Sequence, residues 1–384
     1  MKIDWEQLYD PEDLQRIKAP IAIVLIILIV LIVKVSGIGT RHYETYEVVR
    51  TTPASDSADI AYIHYEKDVI KFSKDGIALI NKKEESVWTE TFDLDNPAAE
   101  TCEEYIAVAD IQGNDVYIFN RKGKVSNSTM PYPIQSVQVA KQGVFAVSLE
   151  DKDDNYIQLY NREGELLAEI KTSIRENGYP LSMALSEDGK NIVISSMVIE
   201  GMSTNNIVMA YNFGSAGKKV KNNCVWSKEF DDMVIPEIRF MDKKTLCLFG
   251  DNATYIYNMG QKPGEKPIAV IEFDTEINSI FTGDSHLGYV CKNAESTDSG
   301  LLKIYNTNGG KLLEKEINFD YNKIRFDEDE IVAVGDYNCT ILSMKGKQIF
   351  HTTFEHSLID VIPTRKNRQY MIIGDKYTDV IKLK

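Results

Sequence analysis

The sequence predicts an all-β fold: a β-propeller of four-stranded blades, eight of them, preceded by one N-terminal transmembrane helix. Two observations predict the propeller. Strand–turn–strand units rich in Asn, Gly and Lys at their turns recur about every 40 to 50 residues, the spacing of propeller blades. Between them lies a second set of runs with the apolar alternation of half-buried strands. The helix rests on the uncharged run APIAIVLIILIVLIV at residues 19–33.

The recurring units are readable in order. GIALINKKEESVWTETF begins at Gly76, NDVYIFNRKGKV at Asn114, NYIQLYNREGELLAEI at Asn155 and NIVMAYNFGSAGKKV at Asn206. ATYIYNMGQKPGEKPIAVIEF begins at Ala253, LLKIYNTNGGKLLEKEI at Leu301 and CTILSMKGKQIFHTTF at Cys339. The intervening runs include EYIAVAD, SVQVAKQGVFAVSLED, TLCLFGD, HLGYVCKN, EIVAVGD and RQYMIIGD. PLSMALSEDGKNIVISS belongs to this second set and supplies the first two strands of the fourth blade, with Asp188-Gly189 at the tight turn. Asp-Gly between alternating runs is a strong hairpin signal, because Gly accepts φ > 0 and Asp bonds its own backbone. Stacked radially, such four-stranded units make a propeller.

The final unit, SLIDVIPTRKNRQYMIIGDKYTDVIKLK, supplies three strands. A ring must close, because an open edge exposes unpaired backbone groups. The missing strand is expected from HYETYEVVR or DIAYIHYE on the N-terminal side, which gives eight blades, with seven as the alternative.

Residues 19–33 fall slightly short of the roughly 20 that a spanning helix needs. Lys34 extends the span through Ile38 by carrying its ammonium to the interface, and Pro20 sits where a helix start tolerates it. Apolarity on every side, with Arg16 and Lys18 in front, disfavours a core helix. A cleaved signal peptide with small residues at Ser36 and Gly37 is the competing reading. The long mixed-charge leader MKIDWEQLYDPEDLQRIK favours a retained anchor. The expected organisation is a cytoplasmic tail at 1–18, a transmembrane signal anchor at 19–38, a linker at 39–59 and an extracytoplasmic propeller at 60–384. Arg16 and Lys18 abutting the span set that single-pass orientation, since the flanking Lys and Arg counts tie.

Composition narrows the function. Against 43 Lys and Arg stand 58 Asp and Glu, a net charge of -15, which argues against a nucleic-acid partner and against docking on anionic lipid. The five cysteines, at 102, 224, 247, 291 and 339, have no Cys-x-x-Cys and form neither a disulfide framework nor a zinc site.

The repeat units carry a resemblance. DGIALINKKEESVW resembles the repeat of quinoprotein-type propellers, with Trp88 at the start of the last strand and Trp226, in NNCVWSKEF, in a less regular version. Glu84-Glu85-Ser86 stands where that repeat usually carries Thr-Gly. ALSEDGKNIVIS resembles the Ser-x-Asp-Gly-Lys inner turn of WD-repeat-like and lactonase-like propellers. From the anchor onward the chain is similar to an uncharacterised Gram-positive bacterial family of membrane-anchored, quinoprotein-like (PQQ-like) propellers, in which motifs such as GYPLSMALSEDGK recur near the middle. That resemblance implies a fold and a location, and no activity. Quinoprotein dehydrogenases resemble one another in adjacent cysteines and Trp-rich blades; here there is no Cys-Cys pair and only Trp88 and Trp226 in the propeller.

No motif rises to a catalytic, cofactor-binding or metal site. Asp151-Lys152-Asp153-Asp154-Asn155 begins like an EF-hand loop but has Tyr156 where Gly is needed and Arg162 where a bidentate Glu belongs. Asp327-Glu328-Asp329-Glu330 reads as a solvated turn. Gly283-Asp284-Ser285-His286 places Ser beside His, but neighbours on a strand or tight turn point apart, and there is no Gly-x-Ser-x-Gly elbow. His42, His64, His351 and His356 lack metal-ligand spacing, and Gly37-Ile38-Gly39 opens no helix. Asn127-Ser128-Thr129 and Asn252-Ala253-Thr254 match the glycosylation pattern, which matters only in a eukaryotic secretory route. Inner strands such as SVQVA, LSMAL and NSIFT are expected to line the central channel with small and apolar side chains.

The expected function is a membrane-anchored binding or scaffold module for a protein or cell-envelope ligand, without cofactor. The insertions MVIEGMSTNN and NAESTDSG support it by lengthening strand connections. The alternative is a lactonase-like hydrolase or lyase with a metal in the central channel, which requires carboxylates converging from several blades.

Overall fold

A computed structural model describes residues 42–384 apart from 54–59, 66–67, 82–84, 153, 261–265, 297–298 and 365–367. Eight four-stranded antiparallel sheets follow one another around a central channel, as the repeat predicts. In chain order the blades span residues 61–91, 97–129, 134–173, 179–230, 237–272, 277–317, 323–353 and 358–383. The eighth has only three strands of its own; its outermost strand is Tyr46–Pro53, paired antiparallel with Tyr377–Leu383. Of the two candidate closing segments, HYETYEVVR is therefore the one used. AYIHY instead forms the first strand of blade 1, Ala61–Tyr65. The linker expected at 39–59 is in part this closing strand, because the open edge of blade 8 captures the nearest chain with free backbone groups. The apolar run at 19–38 lies outside the described residues. Among the described residues no helix is long and apolar enough to cross a membrane.

Antiparallel alternation sorts the turns. First-to-second and third-to-fourth strand turns lie on one face, the near face; second-to-third turns and blade-to-blade crossovers lie on the other, the far face. Tyr46 pairs with Leu383 and Pro53 with Tyr377, so the closing strand enters from the near face. Tyr43 donates its N–H to the Ile349 carbonyl at 2.8 Å, and the Tyr46 ring packs edge-on against Phe350 of blade 7.

The recurring turn asparagine has a direct cause. Asn81, Asn120, Asn161, Asn212, Asn258 and Asn306 each accept a backbone N–H on Oδ1 from the turn that follows, and Ser343 does the same with Oγ. These Asx-type turns fix the third-to-fourth strand hairpin in seven blades. In the turn at Ser186–Lys190, Gly189 adopts φ +68° and the Ser186 hydroxyl bonds Asp188 Oδ1 at 2.9 Å.

Apolar clusters fill the junctions between successive blades from 1/2 through 7/8. Trp88 stacks on Phe119 of the next blade and donates to the Arg121 carbonyl at 3.1 Å; Trp226 packs on Tyr257 of the next blade at a tilt of 58°. The quinoprotein-like tryptophan is thus a blade-to-blade clamp.

Removing residues 1–53 deletes the closing strand and exposes the edge of blade 8. The melting temperature of that truncation should fall by about 10 °C or more, given about 2–4 °C per kcal/mol for domains above 150 residues. A melting curve within about 2 °C of the parent would show that closure does not depend on Tyr46–Pro53.

Candidate functional site

The first strand of every blade lines the central channel. At its near-face end two adjoining cavities of about 520 and 870 Å³ share Arg239, Thr282 and Asp284. The lining corrects the expectation of small and apolar side chains. Ser136 and Ser182 are small, but Gln138 is not, and Glu100, Glu237, Asp327 and Asp360 also face the channel, with Arg239, Lys323 and Arg325 among them. Strands of four to seven residues give few side chains to each face. A few charged residues on them therefore decide the chemistry of the lining.

On one side these charges form a ladder across blades 1, 7 and 8. Arg325 donates Nη1 to Asp360 Oδ1 at 2.7 Å and Nη2 to the Val361 carbonyl. Lys323 Nζ lies 3.8 Å from Asp360 Oδ2 and donates to the Ile359 carbonyl at 3.0 Å. Asp327 Oδ2 lies 3.0 Å from His64 Nε2 and 3.9 Å from Arg325 Nε, contacts of ion-pair range that lack hydrogen-bond alignment. Asp327 therefore does not sit in a solvated turn. It is almost fully buried, and Glu328 makes the turn with φ +50°. The next carboxyl, Glu330, accepts the Tyr370 hydroxyl at 2.7 Å, and its burial raises its pKa.

On the other side lies an acidic half. Arg239 holds Glu237 at 3.2 Å and the Thr282 hydroxyl at 3.1 Å. Burial raises the Glu100 carboxyl above the usual carboxylate range, with Arg239 opposing and Glu237 adding to the shift. Among the described residues no three His, Cys, Asp or Glu side chains are grouped as a metal centre.

The other sequence candidates are dispersed. Ser285 and His286 do meet, Oγ to Nδ1 at 3.2 Å, because the Gly283–His286 turn puts both on one side; Ser285 is exposed and His286 half-buried, its ring against Phe326. In the EF-hand-like stretch, Asp154 pairs with Lys171 at 2.7 Å. His351 contacts the Thr340 hydroxyl at 2.8 Å, and His42 reaches the Gln348 carbonyl at 3.3 Å. All five cysteines are free; burial pushes the Cys102 thiol up to about 11 and those of Cys247 and Cys339 up to about 12.

The far face carries a second feature. In blade 4 the second and third strands, Asn191–Glu200 and Ser203–Asn212, each run ten residues and project as a hairpin. Its tip exposes Ile199 and Met202, and Gly201 turns the chain with φ +66°.

The profile of one sequence family matches residues 39–383. The chain belongs to DUF5711, a family of unknown function. No curated protein matches the DUF5711 chain. Among solved structures it is similar to BamB from Moraxella catarrhalis, with 12% identity, 88% of this chain and 100% of that chain covered, and a TM-score of 0.54. It is also similar to apo AztD from Citrobacter koseri, with 9% identity, 77% and 86% coverage, and a TM-score of 0.51. At such identities the likeness is one of fold.

The raised pKa of Glu100 has a pH signature. A carboxyl that binds its proton more tightly when folded contributes most in acid. The contribution falls as pH rises from the ordinary carboxylate range through the raised value. Glu100→Gln should therefore melt higher than the parent near neutral pH, with the advantage vanishing by about pH 4. A pH-independent difference would refute the assignment.

Proposed function

We propose that this DUF5711 chain is a non-catalytic binding or scaffold module, held by a 19–38 anchor at the outer face of a Gram-positive cell membrane, and that it takes a protein partner on its far face. The carrying observation is the blade-4 hairpin, which presents Ile199 and Met202 to solvent on the face opposite to the entry of the closing strand. An anchor ahead of Tyr46 would approach from the near face and leave the far face open. Apolar side chains at the tip of a rigid hairpin suit insertion into a partner's groove. BamB shares the architecture, and the fold alone does not fix the partner.

The hydrolase or lyase reading gains one observation, the carboxylates that reach the channel from blades 2, 5, 7 and 8. Three of the four are engaged by Arg or His side chains, which favours a structural role for them.

Met202→Cys tests location and face together. In intact cells a membrane-impermeant maleimide should label this variant strongly above the parent, whose thiols are buried or half-buried. Labelling that requires permeabilised cells would overturn the extracytoplasmic placement. Replacing residues 199–204 with a two-glycine turn should abolish co-purification of the partner without lowering the melting temperature.

A further inference from the structure

Asn114, Asn155 and Asn206 occupy the same position of the repeat, six residues before the turn asparagines Asn120, Asn161 and Asn212. In blade 2 the Asn114 amide donates to the Met130 carbonyl at 2.9 Å. In blade 4 Asn206 donates to Ser195 Oγ at 2.5 Å and accepts the Ile235 N–H at 3.0 Å. In blade 3 Asn155 is 2% exposed, yet its Nδ2 has no hydrogen-bond partner. By repeat position the counterpart of Ile235 is Pro180, which has no N–H to offer Asn155.

A cavity of about 190 Å³ lies in front of Asn155, between blades 3 and 4 at the far-face end of their junction. Ser136, Ser148 and Ser182 line it, and no charged side chain does. Its floor is Ile157, Met183 and Ile194, the end of the apolar cluster that joins the two blades. Ser196, 1% exposed, shares its side of the strand with Ile194, and its Oγ is likewise without a partner. The buried Asn155 amide thus faces a small uncharged cleft, with Tyr179 half out of it at the rim.

We infer that this far-face cleft between blades 3 and 4 binds a single neutral sugar ring through Asn155 and the serine hydroxyls around it. The absence of a counter-charge in the lining selects against ions, because burying an unpaired charge is costly. Hydroxyls and amides that donate and accept side by side match sugar hydroxyls, which do both. The isoleucine and methionine floor suits the C–H face of a pyranose, and the Tyr179 ring offers a lid. The volume equals about six waters at about 30 Å³ each. It lies below the roughly 300 Å³ at which drug-sized pockets begin. Sugar binding goes beyond the scaffold reading and does not depend on it, since the hairpin tip plays no part in the contacts.

The test is saturation-transfer NMR on the full-length chain, in a detergent without a sugar headgroup, with millimolar glucose, galactose and mannose and their methyl glycosides. At least one sugar should receive saturation, and Asn155→Leu should weaken its binding by about tenfold or more at unchanged melting temperature. Should that variant unfold, Ser148→Val serves the same purpose. Equal binding of the methyl glycoside identifies the terminal residue of a glycan as the source; binding of the free sugar alone identifies a soluble one. No transfer to any of the six compounds, or binding indifferent to both variants, would leave a water-filled cleft and overturn the inference.

Discussion

The structure depends on closing the ring between blade 8 and blade 1. Every other junction joins consecutive blades and is filled by apolar side chains that the chain brings together in order. Closure must unite the two ends, and it is done twice. On the rim, Tyr46–Pro53 completes the sheet of the last blade, with Thr51 bonding Asp379 at 2.6 Å. In the channel, His64 of blade 1 reaches Asp327 of blade 7, while Arg325 ties Asp327 to Asp360 of blade 8. Buried charges of this kind add little net stability over well-packed apolar residues, but losing one partner leaves another stranded. The ladder is therefore better understood as fixing which blades meet than as a store of stability.

Much of this was legible in the sequence because its causes are local. The turn asparagines recur because one side chain caps one hairpin, and Trp88 recurs because each outer strand must clamp the next blade. The three-stranded last unit betrayed the closing strand for the same reason: a missing element leaves a countable gap. The candidate site was less legible because its causes are not local. His64 and Asp327 stand far apart in the chain, and no spacing rule connects them. The acidic run at 327–330 looked like a solvated turn, and Glu328 does turn; nothing in the run marks Asp327 as the residue facing inward. Asn155 is an intermediate case. Its repeat position was visible, but the cleft in front of it forms only where two blades meet.

The two halves of the channel mouth differ in kind. Blades 1, 7 and 8 hold alternating charges that neutralise one another. Blades 2 and 5 hold Glu100 and Glu237, with Arg239 as the guanidinium between the two halves. Burial, with Glu237 close by, makes the Glu100 carboxyl harder to ionise than an exposed one.

The pairing of the closing strand has a mechanical consequence. Tyr46 and Leu383 lie side by side at one end of an antiparallel pair that runs seven matched positions to Pro53 and Tyr377. Tension applied to the chain ahead of Tyr46, along the strand axis, slides the strand lengthwise against its neighbour. All the cross-strand bonds then bear the load together instead of opening one after another from an end. A tethered propeller pulled from its opposite face would resist as a shear joint, and the aromatic packing of Tyr46 on Phe350 and Phe354 would be the first contact to yield.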